Sequence, residues 1–390
     1  MQKWLISPRD PMIFRDGKPF TTAPGSRAET MAMPFPSTLA GAVRTLVGPD
    51  PATGTFNSAR IKYLLEKQIY APLSVELDQN EQIIKYFLPA PADAVLFKTS
   101  DPDKAERYKL LPLDIGANFA DLKDLKICGP IEIIKEKPHS KPPTFWDWDH
   151  FYKWIAGPID KDTPDLKELG TQGLTKEVRT HVRIEGQTQV ADDGGLFQTS
   201  GLEFNVLDKE PEQHYHLQEC HRFGLLVLSD GDLSAGTNFL GGESRIVQWH
   251  KVKDNPLPFE TCPEPIRQDI LKNGTCRLIL ITPADFKKGY LPTWLIDQFG
   301  VKVEAVLNHR YEGVSGWDYE KKQAKPTRKL MPAGSVLFLR IPGEKRDQFI
   351  RDVWFKTISD DDQARQDGFG LALLGVWDGK LRKMNMEVKS

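Results

Sequence analysis

Two arginines and a histidine alternate with apolar side chains in one short segment, and their chemistry suits a phosphate backbone. Arg179, His181 and Arg183 occupy every second position of residues 178–184. Alternate side chains of a strand share a face, so the segment predicts a strand with one cationic and one apolar face. A basic strand face on a helix-backed sheet is one way in which RNA-binding modules contact RNA. The other interpretation is an exposed face that only water contacts.

The same histidine could also transfer a proton. Metal-independent cleavage of RNA needs a general acid and a general base on either side of a positioned 2′-hydroxyl. His181 could supply one of these groups, but the sequence offers no assured second group close to it. His309 lies far along the chain, in the second of the two domains that the sequence predicts (see the order of elements below). The residues therefore favour binding over cleavage.

A glycine-rich segment follows an apolar strand candidate at residues 223–228 and ends in a second one at residues 244–249. Residues 231–249 read GDLSAGTNFLGGESRIVQW. Glycine permits positive φ and lets another backbone approach closely, which suits a chain of phosphates. The segment lacks the Lys-Ser/Thr pair of a Walker loop, and it does not match G-x-G-x-x-G before a helix. The alternative is a long hairpin turn in which the glycines serve only the backbone geometry.

A third candidate site is the start of a helix in the sequence MPFPSTLAGAVRTLVG. Ser37 is the expected N-cap, and apolar side chains then recur with helical spacing through residue 47. Thr38 and Gly41 lie on the opposite face of this predicted helix, with Arg44 at its margin. A helix N-terminus offers free N–H groups to a phosphate. The alternative is an ordinary amphipathic helix with a solvated arginine.

Two clusters have other possible roles. The sequence HYHLQECH contains side chains that can bind zinc, but their spacing matches no closed structural zinc site. Its candidate ligands are His214, His216, Cys220 and His221. An aromatic cluster in residues 145–154 could stack on bases or contact a partner, but a small core under a long loop is the favoured interpretation. Its members are Phe145, Trp146, Trp148, Phe151, Tyr152 and Trp154.

Composition is that of an ordinary globular protein. The chain has 390 residues, of which 27% are charged, and a formal net charge of −2, so a nucleic-acid site must be a local patch. The four cysteines form no C-x-x-C motif and suit reduced thiols, and the N-terminus does not resemble a signal peptide. No apolar run approaches the length of a membrane span. We therefore expect a cytoplasmic protein without a cofactor.

The elements that must position these residues fall into two similar series. A turn near residues 192–195 and a strand at 196–206 would complete a hairpin with the cationic strand. Apolar segments at 276–282, 301–307 and 335–341, with helices between and after them, indicate a second series that ends in GFGLALLGVW. The order predicts an α+β fold with two β-α-β-β-α-β units in tandem. We expect domains at 1–255 and 270–390, with an insertion at about 73–176 in the first.

Four motifs together resemble the RAMP superfamily of CRISPR-associated proteins. They are RDPMIFRDGKPF, PFPSTLAGAVR, HVRIEGQTQVADDGGLFQT and FLGGESR. The resemblance covers nearly the whole chain and is closest to the third-subunit family of the Cmr complex, the type III-B RNA-guided effector. It implies two tandem ferredoxin-like (RRM-like) domains with Gly-rich loops and a non-catalytic subunit.

The resemblance also implies partners and RNA-facing positions. Such a subunit binds the 5′ tag of the guide crRNA and contacts the large polymerase-like subunit and the first backbone subunit, in a hetero-oligomer that acts in antiviral defence. Carried onto this chain, the RNA-facing residues are Ser37, Thr38, Gly41, Arg44, Arg179, His181, Arg183, Gly241, Gly242, Ser244 and Arg245. Two alternatives stay open: a metal-independent endoribonuclease that processes precursor crRNA, and a scaffold that does not contact RNA.

Overall fold

A computed structural model describes most of the chain and divides it into two compact units. It describes residues 1–15, 27–28, 30–115, 124–207, 220–253, 255–318 and 323–384. The first unit consists of Met1–Tyr86, Gly173–Asp254 and Gly313–Arg328, and the second of Phe87–Gln172, Asn255–Glu312 and Lys329–Ser390. Residues 87–172 therefore group with the second half of the chain, whereas the sequence analysis assigned most of them to an insertion in the first domain.

Helices and strands alternate along both units. The helices of the described residues are α1 Pro36–Val47, α2 Ser58–Leu65, α3 Trp148–Ala156, α4 Leu166–Leu169, α5 Glu264–Asn273, α6 Thr293–Phe299, α7 Arg346–Val353 and α8 Asp362–Asp367. The strands are β1 Gln2–Pro8, β2 Arg27–Ala28, β3 Ile69–Leu77, β4 Ile83–Pro89, β5 Ala94–Lys98, β6 Ala105–Lys109, β7 Leu111–Pro112, β8 Cys128–Gly129, β9 Phe145–Asp147, β10 Lys161–Asp162, β11 Gly170–Thr171, β12 Thr175–Ile184, β13 Ala191–Glu203, β14 Asn205–Leu207, β15 Cys220–Ser229, β16 Gly236–Leu240, β17 Arg245–Lys251, β18 Thr275–Leu280, β19 Lys302–Leu307, β20 Glu312–Val314, β21 Trp317–Asp318, β22 Gln323–Ala324, β23 Arg328–Leu330, β24 Val336–Arg340, β25 Lys356–Thr357 and β26 Leu371–Val376.

The first unit is organised around an antiparallel sheet. Its strands follow the order β16-β17-β1-β15-β3, and β4 continues it beyond β3. All nine residues of β3 are buried, and α1 packs against this strand with Leu39, Ala40 and Val43. The predicted insertion from residue 73 is therefore wrong at its start, because a central strand covers residues 69–77.

The first unit lacks one predicted helix. Strands β15 and β17 flank β1, so the chain must cross from one side of β1 to the other. The β-α-β-β-α-β order predicted for this unit has a helix before its last strand, although residues 231–249 themselves indicate a glycine-rich loop or a long hairpin turn. Residues 230–244, all of which are described, instead contain the edge strand β16 and a 3-10 turn at Gly242–Ser244. A segment with four glycines and no helical apolar spacing explains the difference.

Both early helices differ slightly from prediction. Helix α1 begins at Pro36, its N-cap is Phe35, and no side chain caps it. Proline suits the first helical position because its fixed φ is helical and it has no N–H to leave unpaired. Ser37 therefore lies inside the first turn and is not the N-cap. The sequence also predicts a second helix over residues 57–69, but α2 ends at Leu65 and Ile69 begins β3.

The aromatic cluster is a core and not a surface. Trp146, Phe151 and Trp154 have no exposed area, and Trp148 is 8% exposed. Trp148 also packs edge-on against Phe259 of the same unit, with 5.2 Å between ring centroids. These buried rings cannot stack on bases. The favoured interpretation of the sequence is confirmed.

The second unit repeats the predicted order of elements. Elements β18, α6, β19, β24, α7 and β26 have the order strand, helix, strand, strand, helix and strand, with short strands between β19 and β24 and with β25 and α8 between α7 and β26. The sheet has the order β19-β24-β18-β26-β25, and all neighbouring pairs are antiparallel. All of β18, and all of β24 except Arg340, is buried, as a strand covered on both faces should be.

A buried ion pair joins residues 87–172 to this sheet. Arg277 of β18 and Asp93 have no exposed side-chain area and contact each other. Arg277 also donates to the carbonyls of Trp154 and Ile155, at 2.8 and 3.3 Å, near the end of α3. The indole N–H of Trp154 donates to the second oxygen of Asp93 at 2.9 Å. Each charge is thus compensated by several partners, which burial requires.

Lys109 lies beside this pair. Its Nζ donates to the carbonyls of Trp154 and Gly157, at 3.3 and 3.2 Å, and lies 4.5 Å from the centroid of the Trp154 ring. Burial, and secondarily the charge of Arg277, lowers the pKa of Lys109 from 10.5 to about 7. A neutral amine still has two N–H groups, one for each carbonyl.

No helix of the described residues is long and apolar enough to span a membrane.

We expect the depressed pKa of Lys109 to make the second unit more stable at higher pH. The pKa is about 7 in the folded state and about 10.5 in the unfolded state, so between these values the unfolded chain binds more protons. Relative to Lys109→Met, the free energy of unfolding of the wild type should rise through this window by up to about 1.4 kcal/mol per pH unit. Urea denaturation at pH 7, 8 and 9 measures how the free energy of unfolding changes with pH. Lys272→Met, at an exposed position, is the control, and equal pH slopes for wild type and Lys109→Met would contradict the assignment.

Candidate nucleic-acid interface

The cationic strand belongs to a hairpin, as predicted. Strands β12 and β13 are antiparallel, with Arg179 opposite Thr199 and His181 opposite Phe197. The turn lies at residues 185–190, where the amide of Glu185 donates to the carbonyl of Val190 at 2.9 Å. Residues 192–195, the predicted turn, form a bulge within β13, because the register shifts between Val182 and Ile184. The predicted position of the turn is therefore wrong, although the hairpin is confirmed.

Arg179 and His181 share a face of the hairpin, but both have partners there. Arg179 forms two hydrogen bonds with the carboxylate of Glu177, at 2.8 and 3.1 Å, and both side chains are exposed. Such an exposed pair contributes only about 0–1 kcal/mol, so a phosphate can compete for the guanidinium. His181 stacks on Phe197 and its Nε2 lies 2.8 Å from Oγ1 of Thr199.

Arg183 occupies a different position on the hairpin. It is exposed and lies where the strand register shifts. The strict alternation that would align it with Arg179 and His181 is interrupted at this point. The structure therefore brings two of the three predicted side chains onto one face and places the third at the bulge.

The apolar face of the hairpin is also exposed, contrary to the expected helix-backed sheet. Val178, Val182, Ile184 and Leu196 are 42–60% exposed. The strands form a separate small sheet with β2, outside the sheet against which α1 packs. Alternation of side chains indicates a strand, but it cannot reveal whether another layer covers its apolar face.

The base of the hairpin is fixed to the N-terminal segment. Met12 and Leu202 exchange two backbone hydrogen bonds, at 2.9 and 2.7 Å. The amide of Thr30 donates to Oγ of Ser200 at 2.8 Å. Thr199, Ser200 and Leu202 are buried, in contrast to the exposed residues nearer the turn. The hairpin therefore has a buried base and an exposed end.

Gly241 and Gly242 contact this same N-terminal segment. Gly241 has φ +73°, and a Cβ there would lie 2.6 Å from the carbonyl oxygen of Ile13. The amide of Gly242 donates to that oxygen at 2.7 Å. The close approach that these glycines permit is thus to the protein's own backbone. Their predicted role against RNA does not follow from this geometry, whereas the purely structural alternative does.

Ser244 and Arg245 complete the turn. Glu243 and Ser244 both have positive φ, near +59° and +52°, which few non-glycine residues adopt. The guanidinium of Arg245 is mostly buried and donates to the carboxylate of Glu243 at 2.8 Å. Asp10 accepts the amide of Ile246 at 3.1 Å. The turn is therefore held from both sides.

Of the predicted site residues on α1, Arg44 contacts another helix, whereas Gly41 faces open space. Arg44 donates through Nε to the carbonyl of Leu64 at 2.9 Å and through Nη2 to that of Leu65 at 3.4 Å, at the end of α2. Its guanidinium therefore contacts the last carbonyls of a neighbouring helix, a role for basic side chains that the sequence analysis did not consider. Gly41 is exposed, and a Cβ there would meet nothing within 4 Å. Ser37 and Thr38 are half-buried in the first turn of α1.

The zinc hypothesis has no support among the described residues. Within them, no group of three or more His, Cys, Asp or Glu side chains could hold a metal ion. The His221 Nδ1 lies 2.5 Å from Oε1 of Glu76, and the four cysteines are free thiols. His214 and His216 lie outside the described residues.

The segment that unites these candidates contains none of the predicted site residues. Residues 10–14 contact the base of the hairpin through Met12 and the glycine turn through Ile13. The amide of Phe14 donates to Oγ1 of Thr30 at 2.9 Å, and its carbonyl accepts the amide of Met31 at 2.8 Å, four residues before the N-cap of α1. The run PMIF was a detectable signal, but only as a motif without a role.

We predict opposite effects of alanine at two of the candidate glycines. Gly241→Ala should lower the free energy of unfolding by more than about 1–2 kcal/mol, because a left-handed backbone and contact with the Ile13 carbonyl both penalise a Cβ. Gly41→Ala should raise it by about 0.5–1 kcal/mol, because the position is helical and open. Thermal and urea denaturation of both variants measure this difference. An unchanged melting temperature in Gly241→Ala would show that the turn does not abut residue 13.

Comparison with solved structures gives matches at low sequence identity. A type III-B Cmr-beta structure bound to cognate target RNA matches with a TM-score of 0.50 and 14% identity, and covers 95% of this chain and 96% of that chain. A second Cmr-beta structure, bound to cognate target RNA and AMPPnP, gives a TM-score of 0.47 and 15% identity over 86% of each chain. A Csm3-Csm4 subcomplex of the type III-A interference complex gives 0.38 and 12%, covering 97% of this chain and 99% of that chain. No curated protein matches the sequence.

The family is identified by sequence. The model of the CRISPR-associated protein (Cas_Cmr3) family matches residues 4–377, which include the hairpin, the glycine turn, α1 and nearly all of the second unit. The chain therefore belongs to the Cas_Cmr3 family of CRISPR-associated proteins.

Proposed function

We propose that this protein is a non-catalytic RNA-binding subunit of a type III-B, RNA-guided and RNA-targeting CRISPR effector. In this proposal it caps the 5′ tag end of the guide crRNA and links the large polymerase-like subunit to the backbone subunits, and its two halves are tandem ferredoxin-like domains. Membership of the Cas_Cmr3 family supports the placement. The structural neighbour with the TM-score of 0.50 is itself a Cmr-beta structure bound to target RNA.

The hairpin is the observation that carries the RNA assignment. It has a buried base, an exposed end, and Arg179 beside a stacked pair formed by His181 and Phe197. Guanidinium groups bind phosphates, and ring planes near a cationic groove suit the bases of a single strand. An extended hairpin that is exposed on both faces can lie along a strand of RNA, because its side chains are not packed in the core of the protein.

The remaining RNA-facing residues act in different ways. Gly41 leaves open space on α1, so an RNA backbone can approach the helix there. Ser37 and Thr38 lie in the first turn of α1, where the helix dipole favours a phosphate. Gly241, Gly242, Ser244 and Arg245 hold residue 13 and the hairpin base in place and so support binding indirectly. Arg44 fixes the end of α2.

The endoribonuclease alternative is weaker. A general base needs a free proton-accepting nitrogen close to the reacting hydroxyl. The described contacts of His181 are the ring of Phe197 and Oγ1 of Thr199. Neither group can serve as the general acid that a general base at His181 would need. His309 belongs to the other unit. The geometry therefore favours His181 as a stacking and hydrogen-bonding residue.

We predict that the hairpin arginines contribute phosphate contacts. Removing one phosphate contact with single-stranded RNA should lower the slope of log affinity against log salt by about 0.7, so Arg179→Ala/Arg183→Ala should lower it by about 1.4. Fluorescence anisotropy with a labelled, tag-bearing guide RNA, on the assembled complex over a salt series, gives this slope.

The matched control removes two lysines from the second unit. Lys98→Ala/Lys104→Ala deletes the same charge at exposed positions around β5 and should leave affinity and slope unchanged. If the hairpin variant also keeps wild-type affinity and slope, RNA does not bind along the hairpin and the assignment falls.

We also predict a stable association with the proposed partners. Co-expression with the large polymerase-like subunit and the first backbone subunit should give one complex in size-exclusion chromatography at about 10 µM, a concentration that corresponds to about 7 kcal/mol of binding free energy. When either partner is omitted, this chain should still bind the remaining partner, because the proposed linking role requires two separate contacts. Independent elution of all three chains would contradict the linking role.

A further inference from the structure

Three segments of the second unit, each with exposed basic residues, lie at one edge of its sheet. Strands β18 and β19 both pair antiparallel with β24, so they run in the same direction and end at the same edge. Residues 281–292 follow β18, and residues 308–311 follow β19. The chain before β24 joins them, because Ala284 and Met331 exchange two backbone hydrogen bonds at 2.8 and 2.9 Å.

These segments carry cations that pair with no carboxylate in the described part of the chain. Lys287, Lys288, Arg310 and Lys329 are exposed, and none of them is within ion-pair distance of a carboxylate among the residues that the structure describes. The hairpin differs in this respect, since Glu177 already pairs with its Arg179. A polyanion at this edge of the sheet therefore need not displace a described carboxylate.

The acidic groups beside these segments are hydrogen-bonded or partly buried. The carboxylate of Asp360 accepts the amides of Lys287 and Trp294, at 2.8 and 2.7 Å, and thereby holds the segment after β18 in place. Asp285 precedes that pair of lysines and is only partly exposed. Burial raises the pKa of Glu312, which follows the exposed Tyr311. Four exposed cations therefore outnumber the carboxyl groups of Asp285, Asp360 and Glu312 at these segments, although the whole chain is slightly acidic.

Two exposed tyrosines lie among these cations. Tyr290 and Tyr311 are 41% and 51% exposed, and each follows a basic residue closely in the chain. The Nζ of Lys329 lies 5.0 Å from the centroid of the Tyr311 ring, a cation–π contact that fixes the ring. A fixed, half-exposed ring beside exposed cations is the arrangement on which single-stranded bases stack.

We propose that this basic edge, formed by Lys287, Lys288, Tyr290, Arg310, Tyr311 and Lys329, is a second contact surface for single-stranded RNA. The inference rests on the proposed RNA-binding function and extends it to the second unit. Strands β18 and β19 are separated by one strand, so the two basic segments begin about 10 Å apart. That separation spans between one and two phosphates of an extended strand, and base stacking on Tyr311 lets the backbone follow the cations.

The test compares three double variants of the full chain. Arg310→Ala/Lys329→Ala should lower the log–log salt slope by about 1.4 for a fluorescein-labelled single-stranded RNA of about 20 nucleotides. Lys272→Ala/Lys345→Ala removes the same charge at the opposite edge of the sheet, before β18 and after β24, and should keep the wild-type slope. The charge-preserving Arg310→Lys/Lys329→Arg should also keep it, which separates charge from folding.

A second measurement tests stacking directly. Tyr311→Leu should weaken binding about fivefold or more, and Tyr311→Phe should not, because only the ring is required. Ultraviolet crosslinking followed by mass spectrometry should place crosslinked nucleotides on the peptide with Tyr311. Unchanged melting temperatures for the variants would show that they fold.

The outcomes separate this surface from the proposed function. A wild-type chain that does not bind the RNA overturns both. A wild-type chain that binds, with Arg310→Ala/Lys329→Ala equal to it in affinity and slope, overturns only the basic edge. Variants that bind RNA normally but no longer associate with the large subunit would assign this edge to a protein partner and overturn it as well.

Discussion

The carbonyl of Ile13 is the constraint on which the candidate interface depends. It accepts the amide of Gly242 at 2.7 Å, and its approach leaves no room for a side chain at Gly241. The same short segment pairs with the hairpin base through Met12 and leads to the start of α1 through Phe14. One backbone group therefore fixes the turn that replaces a crossover helix and, through its neighbours, the position of the hairpin. In the proposed function, RNA contacts the exposed end of a hairpin whose base is held in this way.

Much of the second unit could be predicted from the sequence because its elements are locally encoded. Apolar runs of strand length and amphipathic helices alternate there, and the observed strand order agrees with that series. The hairpin was predictable for the same reason, since side-chain alternation reports strand structure directly. Its turn was misplaced because Asp192-Asp193-Gly194-Gly195 has typical turn composition, yet these residues form a bulge and the chain reverses at 185–190.

Other features depend on contacts between distant residues, which one sequence does not show. The pair of Arg277 and Asp93 joins residues far apart in the chain, and this buried interaction groups residues 87–172 with the second unit. Leaving either charge without the other costs about 3–5 kcal/mol, so the segment cannot be regarded as an independent insertion. Likewise, the sequence does not distinguish a glycine that lets a ligand approach from a glycine that lets the protein's own backbone approach. The positive φ of Gly241 and the carbonyl of residue 13 beside it distinguish Gly241 from Gly41, and both follow from the folded structure.

The number of basic residues in a surface is therefore a poor measure of how well that surface attracts a polyanion. Arg44 contacts the carbonyls that end α2, Arg277 is buried, and Arg245 pairs with Glu243, so these guanidinium groups contribute little field to the solvent. In a chain with a net charge of −2, the field that a polyanion experiences comes from cations whose charge no carboxylate compensates. Arg179 meets this condition once a phosphate replaces Glu177, at a cost of at most about 1 kcal/mol. A subunit with balanced charge can thus bind RNA along restricted paths while its other faces stay available to protein partners.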